Sequence, residues 1–113
     1  MNEQSITGTY KLTALTYRQN SSAASQDLYS SLDACQKDNV FIFNADHTFY
    51  YQDIGVLCSP PSNDASTWSL NGSSLEFSGD VNNVTSFDCN NMVTTVSNYN
   101  FPGDLLTATY RKQ

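Results

Sequence analysis

Thr67-Trp68-Ser69-Leu70-Asn71-Gly72-Ser73-Ser74-Leu75-Glu76-Phe77 is the stretch that decides the fold. Apolar and polar residues alternate on both sides of Asn71-Gly72, a dipeptide strongly tied to a two-residue hairpin loop of type I′. Trp68, Leu70, Leu75 and Phe77 then share one face, and Thr67, Ser69, Ser74 and Glu76 the other. A ribbon apolar on one side and polar on the other is what a barrel wall requires.

The preceding ribbon pairs Val40 to Phe43 with Thr48 to Gln52 around Asn44-Ala45-Asp46-His47. A two-residue loop would unite Val40, Ile42, Phe49 and Tyr51. A type I turn with a bulge at His47 would instead unite Phe41, Phe43, Phe49 and Tyr51. Asn and Asp favour the second form, so the aromatic face is expected inside, with His47 at positive φ, which histidine tolerates better than most residues.

Further upstream, Ile6 to Tyr17 alternates as a first strand, with Gly8, Tyr10, Leu12 and Ala14 on one face and Thr7, Thr9, Lys11 and Thr13 on the other. Residues 20–26 have no periodicity. Ser25-Gln26-Asp27 opens one short helix with Leu28, Tyr29 and Leu32 on its apolar side, ending before Cys35. Connections this long tend to be lids or binding loops, and Ser21 to Leu32 is the expected lid. Ile54 to Ser66 reads as a loop, since Pro60-Pro61 rules out a central strand.

Downstream, Val81 to Cys89 and Met92 to Ser97 form a hairpin around Asn90-Asn91, with Thr85, Phe87, Met92, Thr94 and Val96 inward. Pro102-Gly103 turns the chain into Leu105 to Lys112, whose apolar side is Leu106, Ala108 and Tyr110. The expectation is all-β: one domain over residues 1–113, an eight-stranded antiparallel up-and-down barrel with one short helix between strands one and two. Hairpin-length connections favour closure, because closure removes exposed edges.

Charged residues are only 14% of the chain and the net charge is −6. A phosphate backbone would repel that field, so no nucleic-acid partner is expected. No apolar run approaches the ~20 residues of a membrane helix. Met1 to Ser5 reads as an initiator joined to a mature N-terminus whose leader has been cut away. Cys35 and Cys58 bracket the second hairpin, where a barrel would bring them together; they are either a disulfide or, with Cys89, unrelated buried thiols. A bridge would close a loop of about two dozen residues and stabilise by ~3 kcal/mol.

Chemistry is sparse. His47 is the sole histidine and sits at a hairpin tip, so no catalytic triad is expected. No cysteine–histidine spacing suits zinc, and no acidic run suits calcium. The reading is a non-enzyme with no metal and no cofactor. Tyr10, Leu12, Phe41, Phe43, Phe49, Tyr51, Trp68, Phe77 and Phe87 are the candidate ligand-binding residues. Eight strands enclose room either for packed side chains or for one small ligand, and both alternatives stand.

Four segments carry a family resemblance: "ITGTYKLTAL" (6–15), "CQKDNVFIFNADHTFYY" (35–51), "LCSPPSNDASTWSLNGSSLEF" (57–77) and "LLTATYRK" (105–112). A cysteine, an F-x-x-D-x-T-F turn, a second cysteine and then W-S-L-N-G follow in that order. The chain resembles the small lipocalin-like domains of Bacteroidetes envelope lipoproteins. The resemblance implies an exported barrel on the periplasmic or cell-surface side of an outer membrane. It implies a signal and lipid-attachment cysteine ahead of this sequence, and hence membrane contact only through that anchor. It implies a Cys35–Cys58 disulfide. It places Tyr10 where broader lipocalins carry the plugging tryptophan of G-x-W, and offers Arg111 as the basic residue packed across that plug. The expected partner is a small, mostly apolar ligand at the open end. The alternative is a structural or adhesive module with a filled core that contacts protein or glycan through its loops.

Overall fold

The computed structural model describes residues 1–60 and 63–113. Its strands are β1 (Gly8–Arg18), β2 (Gln26–Asp27), β3 (Val40–Phe43), β4 (Thr48–Gln52), β5 (Asp64–Asn71), β6 (Ser74–Phe77), β7 (Asp80–Phe87), β8 (Asn91–Ser97) and β9 (Leu105–Lys112). Every pairing is antiparallel, and β1 meets both β3 and β9, so the meander closes into a ring of eight strands with β2 as an appendage on β1. Two short helices, α1 (Glu3–Ile6) and α2 (Ala34–Lys37), lie at opposite ends of this ring.

The aromatic ribbon forms as expected. Phe43 opposes Phe49 and Phe41 opposes Tyr51. His47 takes φ 68° at the bulge, and the Asn44 and Thr48 backbones hydrogen-bond across the turn at 2.9 Å. The Trp68 ribbon keeps its sidedness but not its turn. Asn71 opposes Ser74, so the loop is Gly72-Ser73. Gly72 alone has positive φ, 62°, the pattern of a type II′ turn with glycine first. The shift is two residues, the strand period, and therefore leaves Trp68, Leu70, Leu75 and Phe77 on the expected face. The type I′ geometry occurs instead at Ser78-Gly79, with φ 54° and 79°.

Two bulges correct the inward faces. In β1 the register shifts between Leu12 and Ala14, so Leu15 rather than Ala14 follows Leu12 inward, opposite Ala108. In β7 it shifts between Val84 and Ser86, so Val84 is buried and Thr85 exposed, while Phe87 regains the inner side. An extra residue on one strand inverts the alternation beyond it, and neither bulge carries a glycine to mark it.

Other boundaries move. β5 begins at Asp64, inside the expected 54–66 loop, because Asp64 to Thr67 pair with β4. Pro61 and Ser62 lie outside the described residues. The helix expected from Ser25 is displaced: Gln26–Asp27 pair with β1, Tyr29–Ser31 form one 3₁₀ turn, and the α-helix is Ala34–Lys37, which contains Cys35. Asp33 and Gln36 box its start. Ile6 is not in the first strand but ends α1, capped by Asn2 and Ser5, and is fully buried.

One end of the ring is thereby plugged. Tyr10 is fully buried, its hydroxyl donates to the Ile6 carbonyl at 2.7 Å, and Ile6 packs into the same cluster. The basic residue over Tyr10 is Lys112, not Arg111. Lys112 Nζ lies 5.8 Å from the ring centroid and donates to the Ser5 carbonyl at 3.0 Å, while Arg111 is exposed. Tyr10 opposes Lys112 in the ladder, which puts the lysine on the inner parity and its neighbour outside. Gly8 makes room, since a Cβ there would come within 2.5 Å of Lys112 Cε.

Candidate functional site

The nine aromatic and aliphatic candidates divide by depth. Tyr10, Phe43, Phe49 and Trp68 fill the plugged half. Phe43 is their hub, with ring centroids 5.6 Å from Tyr10, 5.0 Å from Phe49, 5.6 Å from Trp68 and 5.2 Å from Phe77. Trp68 donates from its indole to the Asn44 carbonyl at 2.8 Å, which satisfies its one buried polar atom. Leu12, Phe41, Tyr51 and Phe87 are half-buried against that cluster. Phe41 reaches both ways, 4.9 Å from Tyr51 and 5.0 Å from Tyr110.

Towards the other end of the ring, β6 to β9 enclose a cavity that opens to solvent. It has a volume of about 210 Å³ and is lined by Phe77, Asp80, Asn82, Val96, Tyr99, Leu106 and Tyr110. Phe77 is the one candidate among them. Alternation places Val96, Leu106 and Tyr110 inward, but it gives the face and not the height in the barrel. Asp80 and Asn82 could have been noticed as polar residues on the alternation that leads to Val84.

The rim is built by the loop between β8 and β9. Asp104, 2% exposed, accepts from the backbone N–H groups of Tyr99, Asn100 and Phe101 and from the Tyr17 hydroxyl at 2.7 Å. Burial opposes its charge, but these donors outweigh it and hold the carboxyl below its ordinary range. Its native value is depressed, so it stabilises the fold above the unfolded carboxylate range near pH 4, and that contribution is lost as pH falls. Asp104→Asn should lower the acid-side melting temperature less with falling pH than the parent's, and should speed amide exchange at Tyr99, Asn100 and Phe101. Unchanged exchange there would show that Asp104 does not fasten the rim.

Two tyrosines respond at the other extreme of pH. Burial pushes both Tyr10 and Tyr110 up to about 12; the Cys89 sulfur adds to the first, and a hydrogen bond with Thr94 opposes the second. Both native values exceed the unfolded value of about 10, so the stabilisation is complete below that pH and falls away as pH rises towards 12. A spectroscopic titration of phenolate should find these two of the seven tyrosines ionising only together with the loss of β-sheet circular dichroism.

A second, larger cleft of about 390 Å³ lies where β4 and β5 part, lined by Tyr50, Tyr51, Gln52, Asp53, Ile54, Asn63, Asp64 and Ala65. Much of its floor is committed to local structure. Asp53 accepts from the Cys58 N–H at 3.0 Å, and its own N–H donates to Asn63 at 2.9 Å. Residues 21–32, the expected lid, line neither cavity. Gln26–Asp27 pair along the edge of β1 beyond β3, and the Leu28 N–H donates to the Leu15 carbonyl at 2.8 Å.

Cys35 and Cys58 form a disulfide, with Cα atoms 5.0 Å apart, the mark of a protein exported to an oxidising compartment. Cys89 is an exposed free thiol at a turn, φ 72°, not a buried one. His47 is half-exposed, hydrogen-bonded to the Glu3 carboxylate and edge-on to Trp68 at 5.3 Å. Among the described residues no helix is long and apolar enough to cross a membrane, and no three His, Cys, Asp or Glu side chains gather as metal ligands.

A ring of eight antiparallel strands, plugged at one end and with a cavity towards the other, defines a lipocalin-like barrel. The family model described as "Lipocalin-like domain" matches residues 6–94, and the chain belongs to that family. No curated protein and no solved structure matches it.

Proposed function

We propose that this chain is a non-enzymatic binding module of a bacterial cell envelope, held at the periplasmic or cell-surface side of an outer membrane by a lipid anchor outside this sequence. Its barrel takes one small, mostly apolar molecule at the open end. The observation that carries the reading is the cavity of about 210 Å³ inside the ring, above a floor of packed aromatic rings. Pockets that bind small molecules combine apolar walls with a few placed polar groups, and Asn82, Tyr99 and Tyr110 supply those here. Native mass spectrometry or titration with a hydrophobic dye should find one saturable site per chain. Leu106→Trp, which fills the cavity, should remove it. If neither dye nor any small-molecule class binds the folded parent protein, the reading fails.

A second reading, an adhesive module, draws on Val56, Leu57 and Phe101, which are 57%, 58% and 60% exposed. Exposed apolar loop residues mark contact surfaces when they are contiguous. Substituting all three with serine should then abolish retention on envelope material while leaving dye binding intact.

A further inference from the structure

We propose that the molecule held in the barrel mouth is a cation: an ammonium group on an apolar body of about one ring, paired with Asp80. This rests on the small-molecule reading above and names the ligand class for the same cavity. By register Asp80 lies on the inward parity, opposite Phe77 across the Ser78-Gly79 turn, but it stands at the mouth: Phe77 and Asn82 are buried while Asp80 is exposed to solvent at the cavity rim. Its carboxylate makes no hydrogen bond or ion pair among the described residues, unlike Asp46, Asp88 and Asp104, which are all held by N–H or O–H donors. What sets Asp80 apart from exposed Glu76, whose carboxylate likewise has no partner among the described residues, is its position on the cavity lining.

No basic side chain lines the cavity. Lys112 is spent on the plug, and Lys37 lies over the Tyr29 ring at 5.1 Å. Lys11 opposes Arg111 in the outer half of the β1–β9 ladder, and Arg18 stands opposite Leu105. A ligand carboxylate would find no counter-charge here and would meet Asp80, within a chain of net charge −6. A cation gains from the same field. The rings of Phe77, Tyr99 and Tyr110 share the wall with Asp80, and aromatic faces attract ammonium groups. Size narrows the class further. A cavity of about 150 Å³ takes up benzene. One of about 210 Å³ therefore has room for a single ring with a short arm.

The test is calorimetric titration of the full chain with phenethylamine, neutral phenylethanol and anionic phenylpropionate. The amine is expected to bind roughly tenfold more tightly than the alcohol, the scale of one charge-assisted hydrogen bond, with the acid weakest. Asp80→Asn should bring the amine down to the level of the alcohol and leave the alcohol unchanged. Glu76→Gln removes an equal charge from the exposed outer face and should leave the order intact. An alcohol that binds as well as the amine, or an amine preference that survives Asp80→Asn, overturns the cation assignment while the cavity reading stands. If none of the three binds but a hydrophobic dye does, the cation assignment again fails alone. If nothing binds at all, both fall.

Discussion

Replacing Phe43 by alanine should destabilise the fold by about 3–5 kcal/mol, the upper range for loss of a buried aromatic side chain. Phe43 is 2% exposed and its ring touches Tyr10, Phe49, Trp68 and Phe77, which come from β1, β4, β5 and β6. Each partner is fixed to a different strand of a closed ring, so the wall cannot fold inward to fill the hole. That lack of relaxation is what puts a cavity-forming substitution at the costly end of its range. A domain of this size has only about 5–15 kcal/mol in total, so the variant forfeits a large fraction of it. Urea unfolding should show a lower midpoint with an unchanged slope. Phe101→Ala, at a ring 60% exposed on the rim loop, should change stability by no more than about 0.5 kcal/mol. Equal effects at the two positions would mean that the ring cluster is not the core of the barrel.

The strands that were legible in the sequence are those where alternation runs unbroken between strong turn signals. Val40–Phe43, Thr48–Gln52 and Leu105–Lys112 stand where alternation places them. Even the slip at Asn71-Gly72 left the wall correct, because a two-residue error preserves parity. The bulges at Thr13 and Thr85 were invisible because they arise from closing a twisted ring and not from local propensity. α1 was hidden for a related reason. Four residues make no helical period, and only the buried plug gives Ile6 a reason to be there. The candidate site was legible as a face but not as a height. Aromatic content drew attention to Phe43, Phe49 and Trp68, which are the floor, while the cavity is bounded by Val96, Leu106 and Tyr110 and by polar Asp80 and Asn82. Which level of a barrel stays empty depends on how tightly the rings below it stack, and that is a property of the three-dimensional packing.

Removing the disulfide should lower stability by about 3 kcal/mol without changing ligand affinity. Cys35 and Cys58 are 23 residues apart in sequence, and cross-linking a loop of that length restricts the unfolded chain by this amount in the entropy model. The native state loses little by comparison, because other bonds hold the same two segments together. The Val56 N–H donates to Asp38 at 3.0 Å. Buried Asn39, with its amide oriented to suit its neighbours, donates to the Cys35 carbonyl at 2.8 Å and to Asp53 at 3.0 Å, and accepts from the Tyr51 hydroxyl at 2.7 Å. The loops it fastens border β3, β4 and β5, while the cavity walls come from β6 to β9 and the 98–104 loop. A Cys35→Ser, Cys58→Ser double variant should therefore unfold at a lower urea concentration and yet bind the dye, in the absence of denaturant, as the parent does. A loss of binding in the folded variant would move the site to the stapled side of the mouth, towards Tyr51 and the 53–60 loop. Unchanged stability would mean that the reduced chain is already restrained by the contacts of Asp38 and Asn39 before it folds.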